Sequence, residues 1–592
     1  MAYKDLQHFL KKLEAEDELI YIDELVSRDL EITEISDRVM KAREKNKAII
    51  FRNVEECDYP LCINIFGSDK RMCMALEVDS LNDIGDGIRD FMELQNYKGI
   101  FNQVMALPKL ARLYFSFPSK LSVGTPPCQQ VIDEEVDLDR IPILKCWPQD
   151  GGRFFTMPLV FTKDPETGTQ NVGMYRMQVF DKKTTGMHWH LHKDGKEIYE
   201  KYRKLGIKKM PVSVVVGSDP ATIYSATAPL PKMIDETMLS SYLRKRPLQL
   251  VKSVTNDIYI PANSEFVFEG YVDIDEDYRL EGPFGDHTGY YSLADMYPVF
   301  HVEKITHKKN PIFDATIVGM PPMEDCYLSL ATERIFLPLL SLTIPEIKEM
   351  HLPFEAVFHN GALLRAETAY PKHASKIVNA MWGMGQMMYQ KLMVVYDQKI
   401  DLRDYKLAFE TFIRNTDFSE DIMITEGPLD ALDHSSINKY HGARVGFDST
   451  LKSEDKLFGL DSSETIDIAN KFKTIEIDNK VCAIAIQIEK HTPEEIKVIR
   501  ETIIADSKLS QIKLVVVVDQ YTDVDSYGYI AWRLFNNIDA NRDFTVNGKQ
   551  LIIDATRKLP IENGGREWPD DIIMDEEIVK MVTEKFGDKD VF

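Results

Sequence analysis

Apolar and polar positions change rhythm twice along this chain. From residue 1 to about 120 helical and strand patterns alternate. The opening "MAYKDLQHFLKKLEAEDELIYID" predicts an amphipathic helix and then a strand, and "LEITEISDRVMKA" (30–42) spaces its apolar residues helically. "KAIIFRNV" (47–54) and "YPLCINIFG" (59–67) are short apolar runs of buried-strand type. From about 125 to 315 the runs shorten, and turn signals such as "DPETG" (164–168), "DKKTTG" (181–186) and "GSDPA" (217–221) break them. That rhythm predicts an antiparallel sheet or barrel. After about 320 helices and strands alternate again, with "FETFIRN" and "YIAWRLFNN" among the helices.

The last third repeats itself. "KLMVVYDQKIDLRDYKLAFETFIRNTDFSED" starts at Lys391 and "KLVVVVDQYTDVDSYGYIAWRLFNNIDANRD" at Lys513. Asp397 and Asp519 stand 122 residues apart, as do Asn415 and Asn537; Asp448 and Asp554 stand 106 apart, so the second copy is 16 residues shorter. The missing material falls about "GPLDALDHSSINKYHG" (427–442). A repeated strand–helix–strand unit predicts scaffold. The extra loop, with Asp430, Asp433 and His434, is either a functional loop or a surface elaboration.

Length and composition narrow the class. A chain of 592 residues predicts two to four domains. Its hydrophobic content of 44% and charged content of 28% are those of a soluble globular protein. A net charge of −24 excludes a nucleic-acid partner, and an anionic substrate or phosphate would need local cations or a metal. No secretory h-region opens the chain, and no apolar run of about 18 residues predicts a membrane span. Seven cysteines lie scattered without a C-x-x-C pair, which predicts reduced thiols in a cytoplasmic protein rather than a cysteine-built zinc site.

Three stretches carry chemistry. In "NVGMYRMQVFDKKTTGMHWHLHKDG" (171–195) a strand turns back on itself. Asn171, Gly173 and Tyr175 share one face, Met174, Arg176 and Gln178 the other, and the return strand puts His188, His190 and His192 on one face. With Lys182, Lys183 and Lys193 nearby, this set suits a phosphate and a divalent cation; its alternative is the polar face of an exposed hairpin. In "APLPKMIDETMLSSYLRKRPLQLVK" (228–252) Asp235 is an N-cap and Glu236 a first-turn acid, by itself no more than a match to the helix dipole. "LEGPFGDHTGYY" (280–291) sets Glu281 and Asp286 five residues apart on a stretch stiffened by Pro283. Neighbouring acids differ in proton affinity, so one can serve as a proton donor; the alternative is a turn that caps backbone amides.

Together these stretches resemble the UbiD family of reversible decarboxylases, which use prenylated FMN. The resemblance runs through "DLQHFLKKLEAEDELIYIDE", "NVGMYRMQ", "PLPKMIDE", "LEGPFGDHTGYY", "GPLDALDHSS", "GFDSTLK" and "EWPDDIIMDEE", nearly the entire chain. It implies an α/β and α+β multidomain fold: an N-terminal α/β segment (1–120), a central split β-barrel of flavin-reductase type (121–318) and a C-terminal α/β oligomerisation domain (319–592) that holds the repeat (391–452 and 513–558). It implies that Asn171 and Glu236, with His188 as a third ligand, hold Mn²⁺ or another divalent cation at the flavin phosphate, with K⁺ as a further cation. Met174, Tyr175, Arg176, His188, Trp189, His190, Lys193, Asp194 and Lys391 would line the cofactor. Arg176, Glu281 and Asp286 would form the catalytic network, with Asp286 the proton donor and Glu281 supporting the arginine, while His287 takes a structural role. The implied reaction is non-oxidative decarboxylation of an aromatic or α,β-unsaturated acid through a covalent adduct with the prenylated flavin. A flavin prenyltransferase would supply that cofactor, and the enzyme would be a homo-oligomer, a dimer or hexamer. The tail resembles a branch of menaquinone biosynthesis through futalosine, which implies a naphthoate-type acid; a 4-hydroxy-3-polyprenylbenzoate or another phenolic acid is the alternative. Two other classes stand beside this one: a flavin-reductase-like oxidoreductase using FMN, and a non-catalytic assembly subunit.

Overall fold

Asp5 accepts a hydrogen bond from the His8 backbone and starts α1 (Leu6–Ala15), whose buried face is Leu6, Phe9, Leu10 and Leu13. The structure, a computed structural model, describes residues 3–42, 44–93, 117–121, 124–190, 193–230, 235–587, 589 and 591. It divides into two units, residues 1–335 with 571–592, and residues 336–570.

In the first unit β1 (Leu19–Val26), α2 (Glu31–Lys41), β2 (Ala48–Val54) and β3 (Leu61–Ile63) follow α1. The three strands form a mixed sheet that a distant strand, Phe313–Ala315, completes beside β3. The central sheet is built from β4 (Leu159–Lys163), β5 (Gln170–Met174), β6 (Thr184–Gly186), β7 (Lys209–Val216), β8 (Phe266–Asp273) and, after a hairpin, β13 (Val299–His307). That hairpin contains β9 (Arg279–Glu281), β10 (Phe284–Gly285), β11 (Tyr291–Ser292) and β12 (Asp295–Tyr297). The sheet runs β6–β13–β8–β7–β4–β5, antiparallel throughout, and Val131–Ile132 adds a seventh strand beside β13. β7 reads "KMPVSVVV" and β8 "FVFEGYVD", and their side chains are mostly buried, as befits the middle of a covered sheet.

The split barrel of flavin-reductase type is not formed. The central sheet is open, with β5 and β6 as its edges. Closure needs long, staggered edge strands that can pair with each other. Here β6 has three residues, and beyond β5 the chain leaves the sheet to pair Met177–Gln178 with Phe154–Phe155 in a separate ribbon. Two longer helices belong to this region, α3 (Asp194–Leu205) and α4 (Glu236–Arg244), with a short one, Pro220–Ser225, between them in the chain.

In the second unit two sheets repeat one plan. The first contains β14 (Ile347–His351), β15 (Gly361–Ala366), α5 (His373–Trp382), β16 (Leu392–Tyr396), α6 (Tyr405–Asn415), β17 (Ile422–Pro428) and β18 (His441–Asp448). The second contains β19 (Phe472–Ile477), β20 (Lys480–Ile488), α7 (Pro493–Ala505), β21 (Leu514–Asp519), α8 (Tyr527–Asn537), β22 (Phe544–Asn547) and β23 (Gln550–Asp554). Their orders, β14–β15–β16–β18–β17 and β19–β20–β21–β23–β22, follow one plan of three parallel strands with an antiparallel strand at each side, and the second sheet adds a sixth strand, Leu460–Asp461, that also pairs with β20. The chain then returns to the first unit as α9 (Glu576–Phe586), where Arg38 of α2 donates to Thr583 Oγ1 (3.0 Å) and Val579 O (2.8 Å). All seven cysteines are free. Among the described residues no helix is long and apolar enough to cross a membrane.

Candidate active site

Arg176 follows β5 where the chain departs from the central sheet, and its guanidinium is almost wholly engaged. Nε donates to Glu281 Oε1 at 3.3 Å, Nη1 pairs with Asp286 Oδ2, and Nη2 donates to Ser292 Oγ at 2.9 Å. The Phe284 ring lies 4.6 Å from Cζ, on a face where aromatic electrons attract a cation. Glu281 is 1% exposed, and its Oε2 has no hydrogen-bond partner. A Cβ on Gly186 would stand 2.5 Å from that oxygen, so β6 can approach Glu281 only as glycine.

The two acids sit on a two-tiered hairpin rather than a free loop. Glu281 ends β9, opposite Asp295 of β12; above it β10 pairs with β11, and Asp286 follows β10. Gly282 joins the tiers at φ +94°, a conformation that glycine adopts freely. Two side chains from elsewhere fix the hairpin. Gln178 accepts from Gly282 N (2.7 Å) and donates to Gly151 O (2.7 Å). Asp150 accepts from the backbone N–H groups of Gly285, Trp147 and Cys146 at 2.7, 2.9 and 3.1 Å.

The electrostatics separate these groups. Burial pushes Asp286 up, but Arg176 and His287 overcome it and hold its carboxyl well below the ordinary carboxylate range. Burial pushes Asp150 up to about 7 against its three amide donors and the charge of Arg176. Burial and then Arg176 lower His188, so its imidazole stays neutral. His188 Nδ1 lies 2.6 Å from Glu281 Oε1 and Nε2 lies 2.7 Å from His190 Nε2. A carboxylate oxygen accepts, so His188 donates from Nδ1 and accepts at Nε2 from His190. The Tyr297 ring packs on His188 at 4.3 Å between centroids.

Asn171 and Glu236 come together across an element boundary. Glu236, first in α4, accepts from Val172 N (3.1 Å) on β5. Burial and the neighbouring Asp235 and Asp194 push its carboxyl up to about 7, and among the described residues no cation pairs with it. Asn171 Nδ2 is buried without a partner. A buried carboxylate with no cationic partner fits a hard cation, and the second donor would be the amide oxygen of Asn171 rather than its nitrogen. Among the described residues no cluster of three His, Cys, Asp or Glu side chains could hold a metal. Both ring nitrogens of His188 are engaged, by Glu281 and His190. His192 lies outside the described residues.

The remaining expected cofactor residues divide. Met174 ends β5, and Tyr175 is buried, its hydroxyl pushed up to about 12 by burial. Trp189 is buried with Nε1 unpartnered, Lys193 is the N-cap residue of α3, and Asp194 opens that helix. Lys391 lies in the second unit, where its ammonium meets Asp433 Oδ2 (2.7 Å) and Ser435 Oγ (2.9 Å). Ser292, Asp150 and Tyr297 join the site without having been singled out from the sequence. Only Ser292, one residue past "LEGPFGDHTGYY", stood close to a visible signal.

Three domains described for 3-octaprenyl-4-hydroxybenzoate carboxy-lyase match the chain: the UbiD N-terminal domain over 10–88, the Rift-related UbiD domain over 119–321, and the UbiD C-terminal domain over 326–449 and 478–560. The chain belongs to the UbiD family. This UbiD protein is a carboxy-lyase, with Arg176, Glu281 and Asp286 joined in one buried network. It is 43% identical over 484 residues to a protein of Archaeoglobus fulgidus, covering 81% of this chain and 99% of that one. It is 35% identical over 603 residues to a protein of Helicobacter pylori, covering 98% and 96%. Among solved structures it resembles vanillic acid decarboxylase of Sedimentibacter hydroxybenzoicus in its open form, at a TM-score of 0.65 and 25% identity over 76% of this chain and 93% of that one. The UbiD-class enzyme HmfF of Pelotomaculum thermopropionicum, solved with FMN, shares the fold at a TM-score of 0.65 and 23% identity, over 78% of this chain and 97% of that one.

Proposed function

We propose that this enzyme removes CO₂ from an aromatic carboxylic acid, with prenylated FMN as cofactor and Asp286 as proton donor. The observation that carries the reading is Arg176, a buried cation shared between two acids, one of which it holds ionised. HmfF has been solved with prenylated FMN, and vanillic and 3,4-dihydroxybenzoic acid decarboxylases share this fold. Asn171 and Glu236 would hold a divalent cation such as Mn²⁺ for the cofactor's phosphate. When bound, prenylated FMN supplies the sink for the electron pair that CO₂ leaves behind.

The protein's own groups do the rest. Arg176 takes the substrate carboxylate, for which its planar fork is shaped. That engagement loosens its hold on Asp286, burial then governs the acid, and Asp286 takes up a proton. Asp286 delivers this proton to the carbon that lost CO₂. Glu281 keeps Arg176 oriented through Nε and is itself fixed by His188. The duplicated tail favours a naphthoate-type acid of menaquinone synthesis over a polyprenyl-hydroxybenzoate. CO₂ release from a panel of naphthoates, phenolic acids and polyprenyl-hydroxybenzoates, with cofactor-loaded enzyme, tests both levels. Release from naphthoates is expected; release from phenolic acids alone would replace the substrate, and no CO₂ exchange beside NADH oxidation would favour a reductase. Asp286→Asn should abolish turnover with the flavin still bound, and a fully active variant would remove Asp286 from its role.

A further inference from the structure

His287 follows Asp286 in the chain and lies against it in space. Its backbone N–H donates to Asp286 Oδ1 at 2.9 Å, and its ring Nδ1 stands 3.2 Å from the same oxygen. The two carboxylate oxygens are therefore divided: Arg176 holds Oδ2 and His287 holds Oδ1. The Asp286 side chain is 12% exposed, whereas the His287 side chain keeps 23%. Asp325, in the first turn of helix Glu324–Thr343, also feels the charge of His287. Imidazole thus stands against a buried acid that must be reprotonated in every turnover, and it is the more exposed of the two side chains.

We propose that His287 is the residue through which Asp286 regains its proton. This rests on Asp286 being the donor. In the transfer the Nδ1–H bond of the imidazolium breaks, an O–H bond forms at Asp286 Oδ1, and the neutral imidazole recovers a proton from water. While Arg176 grips Oδ2 the transfer is uphill. It becomes favourable when a substrate carboxylate engages Arg176, which ties reprotonation to an occupied site. His287 acts through Asp286, so its role is one of proton supply and positioning.

His287→Asn separates those two contributions. The asparagine amide N–H can stand where Nδ1–H stood, so a hydrogen bond to Asp286 is kept while ionisation is lost. In cofactor-loaded enzyme this variant is expected to lose about 100-fold in kcat, as general acid–base groups commonly do. KM should stay within about twofold, and the limb of the pH–rate profile belonging to His287 should vanish. Wild-type kcat would overturn the relay, and so would a reduced kcat with an unchanged profile, which marks positioning alone. His287→Gln provides a second variant, judged by the same criteria if asparagine prevents folding. Without cofactor, the imidazole of His287 can be followed by NMR, its signal assigned by its loss in His287→Asn. Its titration midpoint is expected to fall in Asp286→Asn, where the neutral amide no longer favours imidazolium; an unmoved midpoint overturns the contact. If Asp286→Asn retains turnover, the donor reading itself fails. If that variant is dead while His287→Asn behaves as wild type, only the relay fails.

Discussion

At the scale of residues, the site depends on groups that hold the acids as much as on the acids. Asp150 reaches Gly285 across 135 positions and Gln178 reaches Gly282 across 104. Asp150→Asn should lower kcat about tenfold or more, because an amide offers one acceptor oxygen to three backbone donors and a loosened hairpin misplaces both acids. Steady-state kinetics check this, and an unchanged kcat would show that the hairpin holds itself. Gly186→Ala should be at least as damaging, since its Cβ would meet Glu281 Oε2. The types and spacing of Arg176, Glu281 and Asp286 were legible because a family motif concentrates them in short stretches. Asp150 was not, because its role exists only once two segments far apart in sequence face each other. His188 illustrates a second limit: period two placed it on a face with His190, but whether that face meets a metal or Glu281 is set by tertiary packing.

At the scale of elements, the extra loop of the first repeat copy proves to be a clasp. Ser435 Oγ donates to Ile538 O (2.8 Å) and Arg542 Nη2 to Ser435 O (2.9 Å), so the loop binds copy one to copy two, and Asn563 Nδ2 to His434 O (3.2 Å) and Arg566 Nη1 to Ser436 O (2.7 Å) tie it to the chain just beyond copy two. Asp433 anchors it through Lys391 and through the backbone N–H groups of Ser435 and Ser436. Burial pushes Asp433 up, but Lys391 prevails and the carboxyl sits at about 2. Its folded value lies below the unfolded value of about 3.9, so the stability it contributes is present above pH ~4 and lost as pH falls through ~2. Lys391→Met should cost about 3–5 kcal/mol by leaving a buried carboxylate unpaired. Chemical denaturation measures this; loss of flavin at unchanged stability would instead place Lys391 at the cofactor. The sequence match began at Lys391 and Lys513, whereas the shared plan starts earlier, at β14 and β19. There the copies keep strand order but not residues: both are edge strands, and β19 is largely half-buried, so packing constrains its side chains little. The central strands were legible from their turns, but closure into a barrel was not, because turn signals specify antiparallel neighbours and say nothing of edge length or stagger.

At the scale of the molecule, sequence order and structural units part company at the end of the chain. Residues 571–592 belong with the first unit, and α9 buries Val582 and Phe586 in its core. Phe586→Ala should therefore destabilise the unit that holds the active-site network by about 3–5 kcal/mol, as a large core truncation does, although it lies 300 residues beyond Asp286 in the chain. Two units with separate cores need not unfold together, so calorimetry is expected to resolve two transitions. Every expected site residue except Lys391 lies in the first unit. A ligand that binds only the folded first unit stabilises it by about 2.7 kcal/mol at 100 times its Kd. FMN with Mn²⁺ should therefore raise one transition and leave the other in place, and Phe586→Ala should lower that same transition. If FMN raises both, the second unit contributes to binding, and Lys391 becomes the first residue to substitute. If it raises neither, the flavin reading of Asn171, Glu236 and the surrounding strands falls, while the Arg176 network would still need a substrate.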